Sequence, residues 1–298
     1  MEPLPDTIAA QYPFAPHLYE TLWGPMHYVD EGTGPAVVLL HGNPAWSFMY
    51  RDLITALRGR FRCIAPDHIG CGRSAKPQTG FNYTLAEHID NVVGLVEHHL
   101  ELKRFHLVVH DWGGPIGMAL VERFPERIDR IQILNTAAFR MRELPWQIAA
   151  CKAPVIGEWL ARGLNAFCWG ATRFCTRKPM PPEVRAGYLW PYRDWASRIA
   201  VHRFVRDIPR SPSHRSYRTL AMIEDNLHRI AGRPMHICWG LGDWCFGKTF
   251  LNEWRRRFPA ATVREFPEAA HYLIEDETEP VIAAIAAFLG GRTPPGNS

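Results

Sequence analysis

The stretch VVHDWGGPIGM, residues 108–118, runs from apolar residues into His, Asp and Trp and then turns through two glycines into a helical pattern. Functional groups of a parallel sheet gather at the carboxyl ends of its strands, where Asp111 is expected to lie. Gly113 and Gly114 are the small residues that a sharp strand-to-helix turn requires. The stretch predicts a nucleophile elbow with Asp111 in the usual place of serine, although Val109 replaces the first glycine of that motif. An N-cap of the following helix is the alternative role for Asp111.

Strand and helix patterns alternate on both sides of this stretch. AVVLLHG (36–42) and FHLVVHD (105–111) are continuous apolar runs typical of buried strands, and TLAEHIDNVVGLVEHHLEL (84–102) has the spacing of an amphipathic helix. This alternation predicts an α/β fold with a mostly parallel central sheet and helices on both faces.

The alternation stops in one long segment, which is rich in aromatic residues and prolines and has helical periodicity only. We therefore expect an α/β core from residues 1–142 and 230–290, a helical cap or lid from 143–229, and a disordered tail at 291–298.

Composition excludes several classes of protein. The net charge of +4 is scattered among acidic residues, which argues against a nucleic-acid partner. Seven cysteines, an odd number without a CxxC pair, are typical of reduced thiols in a cytoplasmic protein and indicate no metal site. No segment reaches the roughly 18 apolar residues of a transmembrane helix.

Two later residues complete a catalytic triad with Asp111. His271, in FPEAAHYLIED, follows a late strand at the place expected for a base. Asp243, in CWGLGDWCF, ends the preceding strand and can orient the imidazole. Asn135 holds the rival position for the acid and cannot carry a charge, so Asp243 is the predicted acid.

An aspartate nucleophile suits attack on a saturated carbon, because the product is an ester that can be cleaved rather than a stable ether. The departing group takes negative charge and needs hydrogen-bond donors. Trp112 and Asn43, the latter in HGNPAW, are the predicted donors. Core packing for Trp112 and a turn position for Asn43 are the alternative roles.

These motifs carry a family likeness. In order, HGNPAWSFMYR, APDHIGCGRSAKP, VVHDWGGPIG, the Asp243 loop and EAAHYLIED span nearly the whole chain and resemble the haloalkane dehalogenases of the α/β-hydrolase superfamily. The resemblance implies an α/β-hydrolase fold without a cofactor, with Asp111 as nucleophile, His271 as base and Asp243 as acid. Asn43 and Trp112 would form the halide or oxyanion pocket.

Within that branch, LNTAAFR, NAFCWGA and GYLWPYRDWASRIAVHRFVRDIP look more like the β-lactone decarboxylases of bacterial long-chain olefin biosynthesis. This resemblance implies conversion of a cis-3,4-dialkyl β-lactone into a cis-alkene and carbon dioxide. It also implies a hydrophobic substrate with long alkyl chains and other olefin-pathway enzymes as partners in a multienzyme assembly. Haloalkane hydrolysis is the alternative, and attack on either the alkyl or the acyl carbon of the lactone stays open.

Three further classes fit less well. Epoxide hydrolases share the elbow but use two cap tyrosines, for which Tyr188 and Tyr192 are candidates, whereas Asn43 suits an anionic leaving group better. Fluoroacetate dehalogenases have Arg in the place of Trp112. A non-catalytic binding protein of the same fold would be expected to lack one of the three triad residues, and all three have candidates here.

Overall fold

The computed structural model describes residues 2–141 and 143–291, so the predicted tail lies outside the described residues except for Gly291. An eight-stranded sheet with the strand order β1-β2-β4-β3-β5-β6-β7-β8 forms its centre. β2 pairs antiparallel with β1 and β4, and every other pairing is parallel. The predicted α/β class is therefore confirmed. The strands are β1 His17–Thr21, β2 Gly24–Glu31, β3 Ala36–Leu40, β4 Arg62–Pro66, β5 Phe105–His110, β6 Ile128–Leu134, β7 Met235–Gly240 and β8 Thr262–Phe266.

Helices cover both faces of this sheet, as the continuous apolar strands require. Along β3, Val38 and Leu40 enter one hydrophobic core, and Val37 and Leu39 enter a second. The first core is closed by α3 (Leu85–Val93) and α4 (Gly113–Arg123), and the second by α2 (Arg51–Leu57) and α13 (Thr278–Leu289). Strands buried on both faces cannot alternate apolar with polar residues, which is why AVVLL is apolar throughout. The helices that alternate with strands are α1 Asp6–Ala9, α2 Arg51–Leu57, α3 Leu85–Val93, α4 Gly113–Arg123, α11 Lys248–Arg257, α12 Leu273–Asp276 and α13 Thr278–Leu289.

Between β6 and β7 the described regular elements are all helical. They are α5 Trp146–Lys152, α6 Ile156–Glu158, α7 Ala166–Phe174, α8 Pro182–Leu189, α9 Ile199–Arg206 and α10 Tyr217–Asn226. The wider-wound turns Gly94–His99 and Trp159–Gly163 continue α3 and α6, and 3₁₀ turns occupy Ser47–Tyr50, Pro125–Arg127 and Leu227–Ile230. Among the helices of the described residues, none combines the length and apolarity needed to cross a bilayer.

Candidate active site

Asp111 lies in the sharp turn between the end of β5 at His110 and the start of α4 at Gly113. Its φ of 49° is in the left-handed region, which non-glycine residues adopt at a cost in free energy and which is concentrated at functional sites. A Cβ on Gly42 would collide with the Asp111 side chain, and one on Gly113 would collide with the carbonyl oxygen of Leu40. The small residues at positions 42 and 113 therefore make room for the sharp turn that presents the Asp111 carboxylate to the cavity.

The Asp111 carboxylate is held by backbone donors. The Asn43 N–H donates to Asp111 Oδ1 at 2.7 Å, and the Trp112 N–H is a second donor. Burial raises the pKa of Asp111 above its ordinary value, and His271 and these two N–H groups offset only part of that effect. One carboxylate oxygen is thus fixed, whereas the other faces His271.

His271 stands between two carboxylates. Its Nδ1 lies 2.9 Å from Asp243 Oδ2, and its Nε2 lies 3.9 Å from Asp111 Oδ2. Burial disfavours the charged imidazole, but the hydrogen-bonded Asp243 carboxylate, with Asp111, outweighs burial and raises the pKa of His271 to about 10. The two carboxylates thus favour the protonated form of the imidazole, whose Nε2 is turned to Asp111.

Asp243 has supporting donors that the sequence did not identify. Asn135 Nδ2 donates to Asp243 Oδ2 at 2.8 Å and to the Gly240 carbonyl at 3.1 Å, and the Cys245 N–H donates to Asp243 Oδ1 at 2.6 Å. Asn135, which occupies the rival position for the acid, instead supplies an amide that orients Asp243.

Two more residues position His271 and were also missed. Phe246 stacks on the His271 ring with 5.6 Å between centroids, and His110 Nε2 lies 2.9 Å from the His271 carbonyl oxygen. His110 adjoins the nucleophile in VVHDWGGPIGM, and Phe246 ends the stretch CWGLGDWCF that contains Asp243; these positions beside catalytic residues were the available signal.

Asn43 and Trp112 line the same cavity as Asp111 and His271. Asn43 Nδ2 donates to the Val201 carbonyl of α9 at 3.0 Å, which uses one of its two N–H donors. The half-buried Trp112 ring packs 5.2 Å from Phe204, centroid to centroid. The structure thus brings together all five residues singled out in the sequence.

The cavity above these residues has a volume of about 770 Å³, within the range of small-molecule sites. Asn43, Asp111 and His271 lie at the strand ends, Glu143 and Gln147 lie on the opposite, helical side, and apolar side chains form most of the remaining wall, so the cavity suits a ligand that is mostly hydrocarbon. That wall includes Phe139, Met141, Leu144, Ile148, Leu160, Phe167, Phe174, Leu220, Phe246 and Phe250.

The two tyrosines considered for epoxide protonation are engaged elsewhere. Tyr188 Oη donates to Glu275 Oε1 at 2.8 Å, and the fully buried Tyr192 hydroxyl lies 3.4 Å from the Ala45 carbonyl. Neither is among the described residues that line the cavity, which argues against the epoxide hydrolase alternative. In the described ranges, no group of three or more His, Cys, Asp or Glu side chains is arranged to hold a metal ion.

Comparison with known proteins agrees with this geometry. Residues 35–278 match the α/β hydrolase fold family. A cis-3-alkyl-4-alkyloxetan-2-one decarboxylase of Shewanella oneidensis is 44% identical, over 93% of this chain and 89% of its own, and one of Xanthomonas campestris is 41% identical, over 93% and 97%. Haloalkane dehalogenase 2 of Mycobacterium tuberculosis is 32% identical, over 94% and 96%.

A solved structure of a haloalkane dehalogenase has a similar fold. The crystal structure of haloalkane dehalogenase DbeA from Bradyrhizobium elkani superposes with a TM-score of 0.84 at 23% identity, over 93% of this chain and 98% of that one. The predicted fold and family are therefore confirmed. The chain belongs to the α/β-hydrolase fold family, in the group that contains the cis-3-alkyl-4-alkyloxetan-2-one decarboxylases and the haloalkane dehalogenases.

Proposed function

We propose that this protein is a β-lactone decarboxylase that converts a cis-3,4-dialkyl β-lactone into a cis-alkene and carbon dioxide. The observation that carries the proposal is the Asp111 carboxylate at the polar end of a large apolar cavity, which can receive alkyl chains beside a small polar ring. The identity of 44% and 41% to two proteins named for this activity supports it.

In the proposed reaction Asp111 attacks the ring carbon that bears the ring oxygen. A bond forms between that carbon and a carboxylate oxygen of Asp111, the ring C–O bond breaks, and its electron pair leaves as a substrate carboxylate. Loss of carbon dioxide then supplies the electrons of the C=C bond, and the bond to Asp111 breaks. Inversion followed by anti departure keeps the cis relationship of the alkyl groups. The reaction balances without water, an oxidant or a cofactor.

The surrounding groups have distinct roles in this proposal. Asn43 and Trp112 donate to the carboxylate that forms when the ring opens, where donors placed in advance are most effective. The cationic His271, oriented by Asp243, stabilises Asp111 as it departs with negative charge. Attack of Asp111 on the acyl carbon, which would instead produce an anhydride intermediate, is the alternative route.

Haloalkane hydrolysis is the second candidate. The observation that favours it is the 3.9 Å between His271 Nε2 and Asp111 Oδ2. Once Asp111 has become an alkyl ester, its negative charge no longer favours the protonated imidazole, so His271 can act as a base that activates water against the ester. The chain also has dehalogenase relatives at 32% identity.

One experiment separates the candidates. The purified protein is offered a cis-dialkyl β-lactone and, separately, a 1-bromoalkane, and alkene, carbon dioxide and bromide are assayed. We expect alkene and carbon dioxide from the lactone, and loss of both in Asp111→Asn by about 10³-fold or more. Bromide release without alkene would overturn the decarboxylase assignment, and near-normal rates in freshly made Asp111→Asn would overturn the role of Asp111.

We also propose the setting of this reaction. Residues 143–229 would form a cap over a core made of 1–142 and 230–290, in keeping with the helices that contribute to the cavity wall. The seven cysteines, all free, support a cytoplasmic site of action. The hydrophobic lactone must come from an enzyme that closes the ring, which supports a multienzyme assembly for olefin biosynthesis.

A further inference from the structure

The helices from α5 to α7 expose an unusual amount of apolar surface. Val155, Ile156 and Leu164 are 70%, 65% and 71% exposed. α5 packs on α6, α6 on the turn Trp159–Gly163, and that turn on α7, so the elements that carry or adjoin these side chains pack in series. Contiguous apolar patches on a protein surface mark sites of interaction. We call this region the cap apolar surface; its members are Trp146, Val155, Ile156, Trp159, Leu164, Trp169 and Phe174.

A strained turn lies in the middle of the cap apolar surface. Val155 has φ 62° and ψ −63°, and the Ile156 N–H donates to the Pro154 carbonyl at 2.6 Å, which defines a rare γ-turn. A β-branched residue is among the least suited to this conformation. Val155 and Ile156 both face outward, so the strained turn lies at the surface, and backbone strain of this kind is concentrated at functional sites.

This surface continues into the cavity. Trp146 and Phe174 are 76% and 62% exposed, and both also line the cavity above Asp111. An apolar ligand can therefore pass from the cap apolar surface into the cavity along apolar side chains.

Positive charge accompanies the cap apolar surface. Residues 143–229 contain 14 Lys and Arg against 7 Asp and Glu, whereas the rest of the chain contains 20 against 23. The Arg173 guanidinium lies 5.5 Å from the Phe174 ring centroid, and Arg203 and Arg206 are exposed on α9, which packs against α5. None of these three arginines forms an ion pair with another described residue. Exposed Trp and aliphatic side chains beside unpaired arginines are typical of surfaces that lie on anionic membranes.

We propose that the cap apolar surface binds an anionic lipid bilayer, so that the cavity opens onto hydrocarbon rather than water. A substrate with long alkyl chains partitions into the bilayer, and this orientation lets it enter without crossing water. The combination of arginine, tryptophan and an apolar cavity mouth favours a lipid surface over a protein partner. The proposal holds for either alkyl substrate considered above.

The test is co-sedimentation of the full-length protein with vesicles of phosphatidylcholine alone or mixed with phosphatidylglycerol. We expect binding to the anionic vesicles that weakens with added salt. In the triple variant Val155→Gly, Ile156→Ser, Leu164→Ser, the affinity for the anionic vesicles should fall by about tenfold or more. Its fold should be preserved, because glycine accepts the φ of Val155 without strain. Leu22→Ser, which removes a 94% exposed leucine from the β1–β2 turn, is the matched control and should bind like the wild type.

A second variant tests the charge separately. Arg173→Gln with Arg203→Gln should weaken binding to anionic vesicles about fivefold per arginine and leave the weak binding to phosphatidylcholine unchanged. Neither set of residues lines the cavity, so turnover of a short-chain substrate in solution should not change. Absence of wild-type binding to anionic vesicles, or equal binding by the triple variant and Leu22→Ser, would overturn the proposal. So would a dimer without vesicles that the triple variant dissociates, since the surface would then join two copies of the chain.

Discussion

Asn135 Nδ2 donates a hydrogen bond to Asp243 Oδ2, the same oxygen that lies 2.9 Å from His271 Nδ1. The two residues lie at the carboxyl ends of neighbouring parallel strands, β6 and β7. Asn135 has a φ of 23°, and its Oδ1 accepts from the Gly240 N–H at 2.8 Å, so the amide is held from both sides. This relationship fixes which oxygen of the acid meets the imidazole.

Removal of that amide should impair catalysis through His271. Asn135→Gly can adopt the same backbone conformation but lacks the side-chain N–H that donates to Asp243. Loss of a hydrogen bond to a charged group costs about 2 kcal/mol, which corresponds to a roughly thirtyfold decrease in kcat/KM. The pH profile of kcat/KM should shift as well, because the imidazole is less firmly oriented. Asn226→Ala, which removes an exposed amide bonded only to Met222 of its own helix, is the control. An unchanged rate and pH profile in Asn135→Gly would show that Asp243 needs no support from Asn135.

His271→Gln should separate the two candidate chemistries. If water must cleave an alkyl ester of Asp111, loss of the base traps that ester, and mass spectrometry detects the adduct after incubation with a bromoalkane. If decarboxylation releases Asp111, the lactone should leave no comparable adduct. Asp111→Asn should form none with either substrate. A stable lactone-derived adduct on Asp111 would show that hydrolysis, and not decarboxylation, clears the enzyme.

Trp112→Phe should slow turnover by about 100-fold, because it removes a donor to the charge that develops on the leaving group. A carboxylate leaving group also predicts that a long-chain fatty acid competes for the wild-type site better than bromide does. Inhibition of alkene formation measures how tightly the fatty acid and bromide each bind. Trp169→Phe, which changes an exposed tryptophan outside the cavity lining, should retain the wild-type rate. Tight bromide binding that depends on Trp112, with bromide release from bromoalkanes, would favour the dehalogenase.

The pKa of His271 predicts how stability changes with pH. Because the folded pKa of about 10 exceeds the ordinary 6.5, the protonated imidazole stabilises the fold fully below pH 6.5, and that contribution is lost as pH rises through about 10. His271→Gln lacks this contribution at every pH. The Tm difference between the wild type and His271→Gln should therefore shrink from neutral to alkaline pH, whereas exposed His228→Gln should follow the wild type throughout. A Tm difference that does not change with pH would contradict the raised pKa.

Much of the fold was predictable because hydrophobic periodicity is local. The apolar runs before Gly42 and Asp111 predicted buried parallel strands, and the two glycines after Trp112 predicted the elbow. The edge strand β1 was not predicted, because HLYET alternates between exposed and half-buried residues and contains no continuous apolar run. The order of acid and base along the chain followed from the order of the strands.

The sequence alone therefore determined the α/β class, the family and the residues that end each strand at the site. Only the tertiary structure decided which of those side chains meet. Asn135 and Asp243 are 108 residues apart, and they come into contact only because β6 and β7 pair in register. Likewise, the sequence offered Tyr188 as a candidate catalytic residue, but in the folded protein its hydroxyl donates to Glu275. Periodicity reports which face of an element is buried, whereas the distance between two side chains depends on how distant elements pack, and no local pattern encodes that distance.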